Sequence, residues 1–265
     1  MIKLFLFSCL SLVTFHQCGN KSGSNSPRLD SAKIQLTETS LQESASDTSF
    51  YPVLIELFTS QGCSSCPPAD KLLSELAKRP EVVALSFHVN YWDRLGWKDP
   101  FARQAYTDRQ ETYGRKFQAS GIYTPQMVVN GKEEFVGSDR QQAEKAISKA
   151  VALSLPATIL LESQIEGNTI SVNFNLAGNF MGKDFFLALV EDGIETEVKR
   201  GENSGKKLHH DNVVRQLEKL PVTHQKAGSL SLTIPEGAIK EHCHIVAWLQ
   251  VTGGGEVLGI AKERS

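Results

Sequence analysis

The chain reads as an α/β domain followed by a small all-β domain, antiparallel and sandwich-like, and three observations carry that reading. From Tyr51 to about Leu155, short apolar runs alternate with stretches of helical spacing. Beyond Pro156 the strand-like stretches follow one another with only turn residues between them. A close cysteine pair, Cys63-Ser64-Ser65-Cys66, stands where the first strand gives way to the first helix.

The chain opens on a leader. "MIKLFLFSCLSLVTFHQC" places a lysine ahead of an apolar run from Leu4 to Phe15, too short to span a bilayer as a folded helix, which is the layout of a secretory signal. The run stops just before Cys18-Gly19-Asn20, so residues 1–18 read as a signal of bacterial lipoprotein type with Cys18 as the expected lipidation site. Residues 19–49, rich in Ser, Asn, Thr and Asp, read as a flexible stalk with a reach on the order of 30 Å. The expected location is the periplasm or cell envelope, the membrane being touched only through the lipid.

The first domain is expected over residues 50–155. "VLIELF" (Val53–Phe58) suits a buried central strand. Ala69, Leu72, Leu73, Leu76 and Ala77 then recur on one helical face, and "VVALSFHV" (Val82–Val89) makes a second buried strand. A helix from about Pro100 to Phe117 follows, then "TPQMVVNGKEEFVGSD", a strand, an Asn130-Gly131 hairpin turn and another strand. Ser138 and Gln141 form a capping-box pattern ahead of a last helix whose face is Ala143, Ala146, Ile147, Ala150 and Val151. The order is β-α-β-α-β-β-α. The second domain, residues 156–265, contains the all-β stretches.

Composition excludes some function classes. A formal charge of -2 without a basic run gives no support for nucleic-acid binding. Cys9 leaves with the signal and Cys18 is used by lipidation, so Cys63, Cys66 and Cys243 remain. Three cysteines do not make a disulfide-dense scaffold, and the close pair is available for chemistry.

Three readings of the pair are open: a redox couple, a metal site or a structural staple. Two intervening residues let both sulfurs meet across the first helical turn. The first cysteine then lies by the helix N-terminus, where unpaired N–H groups and the dipole favour a thiolate. Cys63 is the expected attacking thiol and Cys66 the resolving one. Pro67 and Pro68 fit a first helical turn, where a missing N–H costs nothing.

With that order of elements, Cys63, Cys66 and the "GIYTPQMVVNG" stretch, the first half resembles the thioredoxin superfamily. The fold class is then an α/β thioredoxin-like domain followed by the small all-β domain. The resemblance implies that Thr124-Pro125 carries a cis proline at the head of a strand, against the redox cysteines. It also suggests that Glu56, seven residues before Cys63 in an otherwise apolar strand, moves a proton for the resolving cysteine; an acidic side chain at a strand edge or paired with a lysine is the alternative. "LIELFTSQGCSSCPPAD", "HVNYWDRLGWKDPFA", "YTPQMVVNG" and "RGENSGKKLHHDNVVRQL" together resemble the exported family known as domain of unknown function 1223. That resemblance implies the thioredoxin-like first domain and carries over Cys63, Cys66 and Pro125, without supplying a substrate.

The expected function is a thiol-disulfide oxidoreductase with protein or small-molecule thiols and disulfides as partners, needing no organic cofactor and no metal. Its alternatives are a Cu(I)-handling protein using the same cysteines and a binding module with a structural disulfide. Elsewhere, Tyr91, Trp92, Trp97 and Phe101 crowd one connection, either as a wall beside the cysteines or folded over the domain edge. His88 reads as a strand residue with a satisfied ring. His242 and His244 share a strand face opposite Cys243, which reads as a buried thiol, and His209-His210 lie apart from them. "RGENSGKKLHHDNVVR" reads as a polar loop leading into a strand, with no chemistry assigned.

Overall fold

The computed structural model describes residues 52–264; the leader, the stalk and Cys18 lie outside the described residues. The first half has the element order that periodicity predicts: β1 (Val53–Thr59), α1 (Pro67–Leu76), β2 (Val82–His88), α2 (Gln104–Lys116), β3 (Gln126–Val129), β4 (Glu133–Val136) and α3 (Arg140–Val151). Strands follow: β5 (Ala157–Glu166), β6 (Thr169–Gly178), β7 (Lys183–Glu191), β8 (Ile194–Glu197) and β9 (Lys207–His210). The last are β10 (Val213–Val222), β11 (Ala227–Thr233), β12 (Cys243–Gln250) and β13 (Val257–Arg264).

The expected fold class, an α/β thioredoxin-like domain followed by a separate small all-β domain, is corrected by the sheet. One mixed eight-stranded sheet runs in the order β13-β12-β7-β10-β2-β1-β3-β4, so strands from both sides of residue 155 belong to it. The junction is β10 beside β2, where Val213 is the register partner of Ser86 and the Ser86 N–H donates to the Asn212 carbonyl at 2.7 Å. The exposed edge that β2 would otherwise present is thereby paired. Strands β5, β6 and β11 form a separate three-stranded sheet, and β8 and β9 a two-stranded one.

Strand chemistry explains how the large sheet is covered on both faces. Phe185, Leu187 and Leu189 of β7 face Ile159, Ile170, Val172 and Phe174 of the small sheet. The alternate residues Phe186, Ala188 and Val190 join Phe58, Phe87, Tyr106 and Tyr113 on the α2 side. Along β1 the same alternation sends Ile55 and Leu57 toward α1 and α3, and Leu54 and Phe58 toward α2. An uninterrupted apolar run is what a strand buried on both faces requires.

Boundaries differ from the pattern at two helices. α2 starts at Gln104 rather than Pro100, because Asp99 holds residues 99–102 in a turn by accepting the Phe101 N–H at 3.0 Å. α3 is capped by Asp139, which accepts the Gln142 N–H at 3.0 Å, in place of the Ser138–Gln141 box, and Val151 at its end is exposed. The Asn130-Gly131 turn is as expected: both residues have positive φ, 48° and 64°, as a two-residue hairpin turn of this type needs. No helix among the described residues is long and apolar enough to cross a membrane.

Candidate functional site: a disulfide over a buried acid–histidine cluster

Cys63 and Cys66 form a disulfide with Cα atoms 5.4 Å apart, at the start of α1. Cys66 is the N-cap, and Pro67 and Pro68 fill the first helical positions. Cys63 therefore sits three residues ahead of the cap. The prolines carry no N–H, so the helix favours a thiolate there through its dipole more than through direct donors. The Ser65 hydroxyl lies 3.4 Å from the Cys63 sulfur and is a donor at hand. Both cysteines are fully buried, while Ser64 and Ser65 between them are exposed.

The Thr124-Pro125 peptide is cis and leads into β3, as the sequence implied. Pro125 and the α1 residue Ala69 both close on Gly137: a Cβ added there would lie 3.1 Å from Pro125 Cβ and 3.2 Å from Ala69 Cβ. The aromatic connection ties this proline to the cysteine loop. Trp92 Nε1 donates to the Thr124 hydroxyl at 2.8 Å, and the Trp92 Cβ packs so near Gly62 that a methyl there would sit 3.1 Å away. Trp97 Nε1 donates to Gln61 Oε1 at 3.0 Å, and Phe101 packs against the rings of His88 and His210. These aromatics serve the cysteine loop, and Tyr91 stands beside Trp92.

Glu56 is not brought to the couple. It projects from the α2 face of β1, the face opposite α1, and its carboxylate accepts from Arg109 Nε at 2.5 Å and from the Tyr113 hydroxyl. Arg109 lies over the rings of Phe186 and Trp248, and its Nη2 donates to Gln250 Oε1 at 2.9 Å. The cation is an arginine of α2, where the sequence offered a lysine as the alternative partner. This is a buried, fully partnered ion pair that joins α2, β1 and β12.

The acid that does face the first turn of α1 is Asp70, which sequence analysis passed over. It is buried, and its Oδ1 accepts from the Thr59 hydroxyl at 2.8 Å. Its Oδ2 lies 3.7 Å from Nδ1 of His210, outside hydrogen-bond distance. Burial pushes the Asp70 carboxyl up to about 6, against the opposing influence of His88 and Thr59.

The hydrogen bonds fix the His210 tautomer. An indole N–H only donates, so Gln61 Oε1 must be the acceptor of Trp97 and the Gln61 amide nitrogen must face His210 Nε2, 3.3 Å away. That ring nitrogen accepts, which leaves the proton on Nδ1, turned toward Asp70. Burial, with His88 nearby, lowers His210 to about 3, so the ring is neutral.

Its neighbour His88 is different. Burial opposes its charge, but Asp99, 2.7 Å from Nδ1, prevails and raises it. Asp99 is held below its usual range, burial being outweighed by His88 and by the N–H groups of Gln61 and Phe101. The two rings meet edge to face with centroids 4.9 Å apart. Nδ1 of His88 is thus held by Asp99, which also touches the loop itself by accepting the Gln61 N–H at 2.8 Å, but the ring is not satisfied as expected, because its Nε2 is buried with no hydrogen-bond partner among the described residues.

The polar loop to which the sequence gave no chemistry closes the site from the second half of the chain. Asn203, fully buried, donates from its one amide nitrogen to the carbonyls of Gln61 and Cys63, each at 2.9 Å. Glu202 accepts the Ser64 N–H at 3.1 Å. The signal for His210 was present in "KLHH": Leu208 and His210 alternate with exposed residues and so point inward together.

The remaining sequence candidates lie elsewhere. His242 falls in a short 3-10 turn rather than on a strand face with His244, whose Nδ1 lies 3.3 Å from Asp192. Cys243 is buried, its thiol raised to about 11 chiefly by burial, and it reaches the Ile239 carbonyl at 3.4 Å. His209 pairs with Asp211 at 3.1 Å on the exposed side of β9. Among the described residues, no group of three or more His, Cys, Asp or Glu side chains is arranged to hold a metal ion.

A probable thioredoxin of Archaeoglobus fulgidus is 32% identical over 85 residues, which is 32% of this chain and 74% of that protein. A crystal structure of a protein from Agrobacterium tumefaciens superposes with a TM-score of 0.62 at 28% identity, covering 81% of this chain and 94% of the other. Residues 54–250 match the family described as protein of unknown function, DUF1223. That match spans the cysteine loop, the cis proline and the segment bearing Asn203 and His210, and the chain belongs to the DUF1223 family.

Proposed function

We propose that the protein is a thiol-disulfide oxidoreductase. The observation that carries the reading is the Cys63–Cys66 disulfide at the head of α1, with the strand-leading Pro125 packed near the same helical turn. The similarity to a probable thioredoxin over 85 residues supports it. Cys63, the residue beside the Ser65 hydroxyl, attacks a partner disulfide as a thiolate; Cys66 resolves the mixed disulfide, and Thr124-Pro125 presents backbone to the partner. Partners are protein or small-molecule thiols and disulfides. The leader and Cys18 support a site of action in the cell envelope on a lipid tether.

The test is trapping. With oxidised glutathione, Cys66→Ser should accumulate a mixed disulfide at Cys63, and Cys63→Ser should accumulate none at Cys66. Equal labelling of both variants, or of neither, refutes the assignment. One observation favours a second reading, a structural disulfide: both cysteines are fully buried. A bond that resists dithiothreitol buffers under native conditions would select that reading.

A further inference from the structure

The second half of the chain supplies a histidine to the chemistry of the couple. Cys66 has helical backbone angles, φ -78° and ψ -37°, and the Asp70 N–H donates to its carbonyl at 3.1 Å. Side chains four residues apart on a helix share a face, with Cβ atoms about 5–6 Å apart. Asp70 is therefore the buried acid on the Cys66 side of α1, and His210 of β9 stands on its other side with Nδ1 making no hydrogen bond among the described residues. The groups around Asp70 are Thr59 from β1, His88 from β2, Asp99 from the connection after β2, and His210 from β9. Arg215 of β10 acts on His88. Among the described residues no Lys or Arg is paired directly to Asp70, and Nδ1 of His88 is held by Asp99.

We propose that Asp70 and His210 form the proton-exchanging pair of the couple, Asp70 accepting the proton of the Cys66 thiol and the His210 Nδ1–H steadying the ionised carboxylate. This rests on the oxidoreductase reading. The Cys63 thiolate attacks a partner disulfide; a Cys63–partner S–S bond forms, the partner S–S bond breaks, and its first sulfur leaves with the electron pair. The Cys66 thiol passes its proton to Asp70, and the resulting thiolate attacks Cys63. The Cys63–Cys66 bond forms, the Cys63–partner bond breaks, and the second partner sulfur leaves as a thiolate. Asp70 returns the proton to solvent or to a departing thiolate. The protein dithiol is oxidised by two electrons and the partner disulfide reduced by two. Run backwards, the same pair gives its proton to Cys66.

The experiment is a carbon-13 carboxyl titration of Asp70 in the full chain, oxidised and then reduced with excess phosphine, the resonance assigned with Asp70→Asn. The proposal expects Asp70 to titrate at higher pH in the reduced protein, because a thiolate beside it, absent from the disulfide, places a like charge next to the carboxylate. His210→Leu should move both titrations upward, since the ionised form loses the His210 N–H. Asp70→Asn, with its melting curve as a check on folding, should slow resolution of the Cys63–glutathione mixed disulfide on the order of 100-fold at neutral pH and remove the pH inflection that Asp70 gives to that rate. Identical Asp70 titrations in the two redox states overturn the proposal. A redox-linked titration without any exchange with glutathione disulfide upholds the pair and rejects the oxidoreductase reading.

Discussion

Strand β1 carries two buried carboxylate sites on its two faces, and they are built to opposite specifications. On the α2 side, Glu56 is saturated by Arg109 and Tyr113 and surrounded by aromatic rings. On the α1 side, Asp70 has one hydroxyl donor at Thr59 and a neutral imidazole just out of reach. The first arrangement gives the carboxylate two close donors and ties three elements together. The second leaves a carboxyl whose proton is exchangeable near neutral pH, next to two cysteines. Burial alone does not mark an acid as chemical; burial without a paired cation does.

Removing Arg109 breaks that contrast most severely. Arg109→Met strands the Glu56 charge, and the account expects a loss of about 3–5 kcal/mol in chemical denaturation, with exchange chemistry of the folded fraction retained. Asp70 should show the reverse in its pH dependence. Its folded value of about 6 lies above the ordinary 3.8, so the folded chain keeps a proton that the unfolded chain releases. Stability is therefore lost as pH rises through that window and stays lower above it. Asp70→Asn abolishes this loss, so its stability relative to the natural protein should rise by up to about 3 kcal/mol between pH 4 and pH 8. A difference that is flat with pH, measured by denaturant titration at both ends, would mean that Asp70 is partnered as firmly as Glu56.

Smaller effects should appear at the cover of the loop. Asn203→Ala deprives the Gln61 and Cys63 carbonyls of their donor at once, and about 2 kcal/mol of stability should go with it. Because the segment bearing it closes on the cysteine loop, the same variant should be reduced faster by dithiothreitol. An unchanged reduction rate would show that access to the sulfurs is set elsewhere. Gly62→Ala sets a methyl 3.1 Å from Trp92 Cβ, and the displaced indole should cost about 1 kcal/mol by thermal melting.

Much of the first half was legible because its signals are local. β1 is an apolar run broken only by Glu56 before its last residue, Asn130-Gly131 names its own turn, and Thr124-Pro125 marks the head of β3. What failed was non-local. Nothing in "DNVVRQLEKLPV" states that Val213 will lie beside Ser86, yet that one junction joins strands from both halves of the chain in one mixed sheet. The candidate site was legible in its sulfurs and proline for the same reason. Glu56 drew attention as a lone charge in an apolar strand, but the period-two alternation that buries it also turns it away from α1. Asp70 was hidden in "PPADKLL", where an acid in the first turn is what any helix favours. His210 and Asn203 sat in a stretch that carried family resemblance but no assigned chemistry, and only tertiary folding places it at the cysteines.

The most direct measurement is the reduction potential of Cys63/Cys66 in the full-length chain, by equilibration in glutathione and dithiothreitol buffers with thiol trapping. The account predicts a value between about -120 and -270 mV, the range of exchange catalysts. A value below about -300 mV would make the bond a structural staple and contradict it.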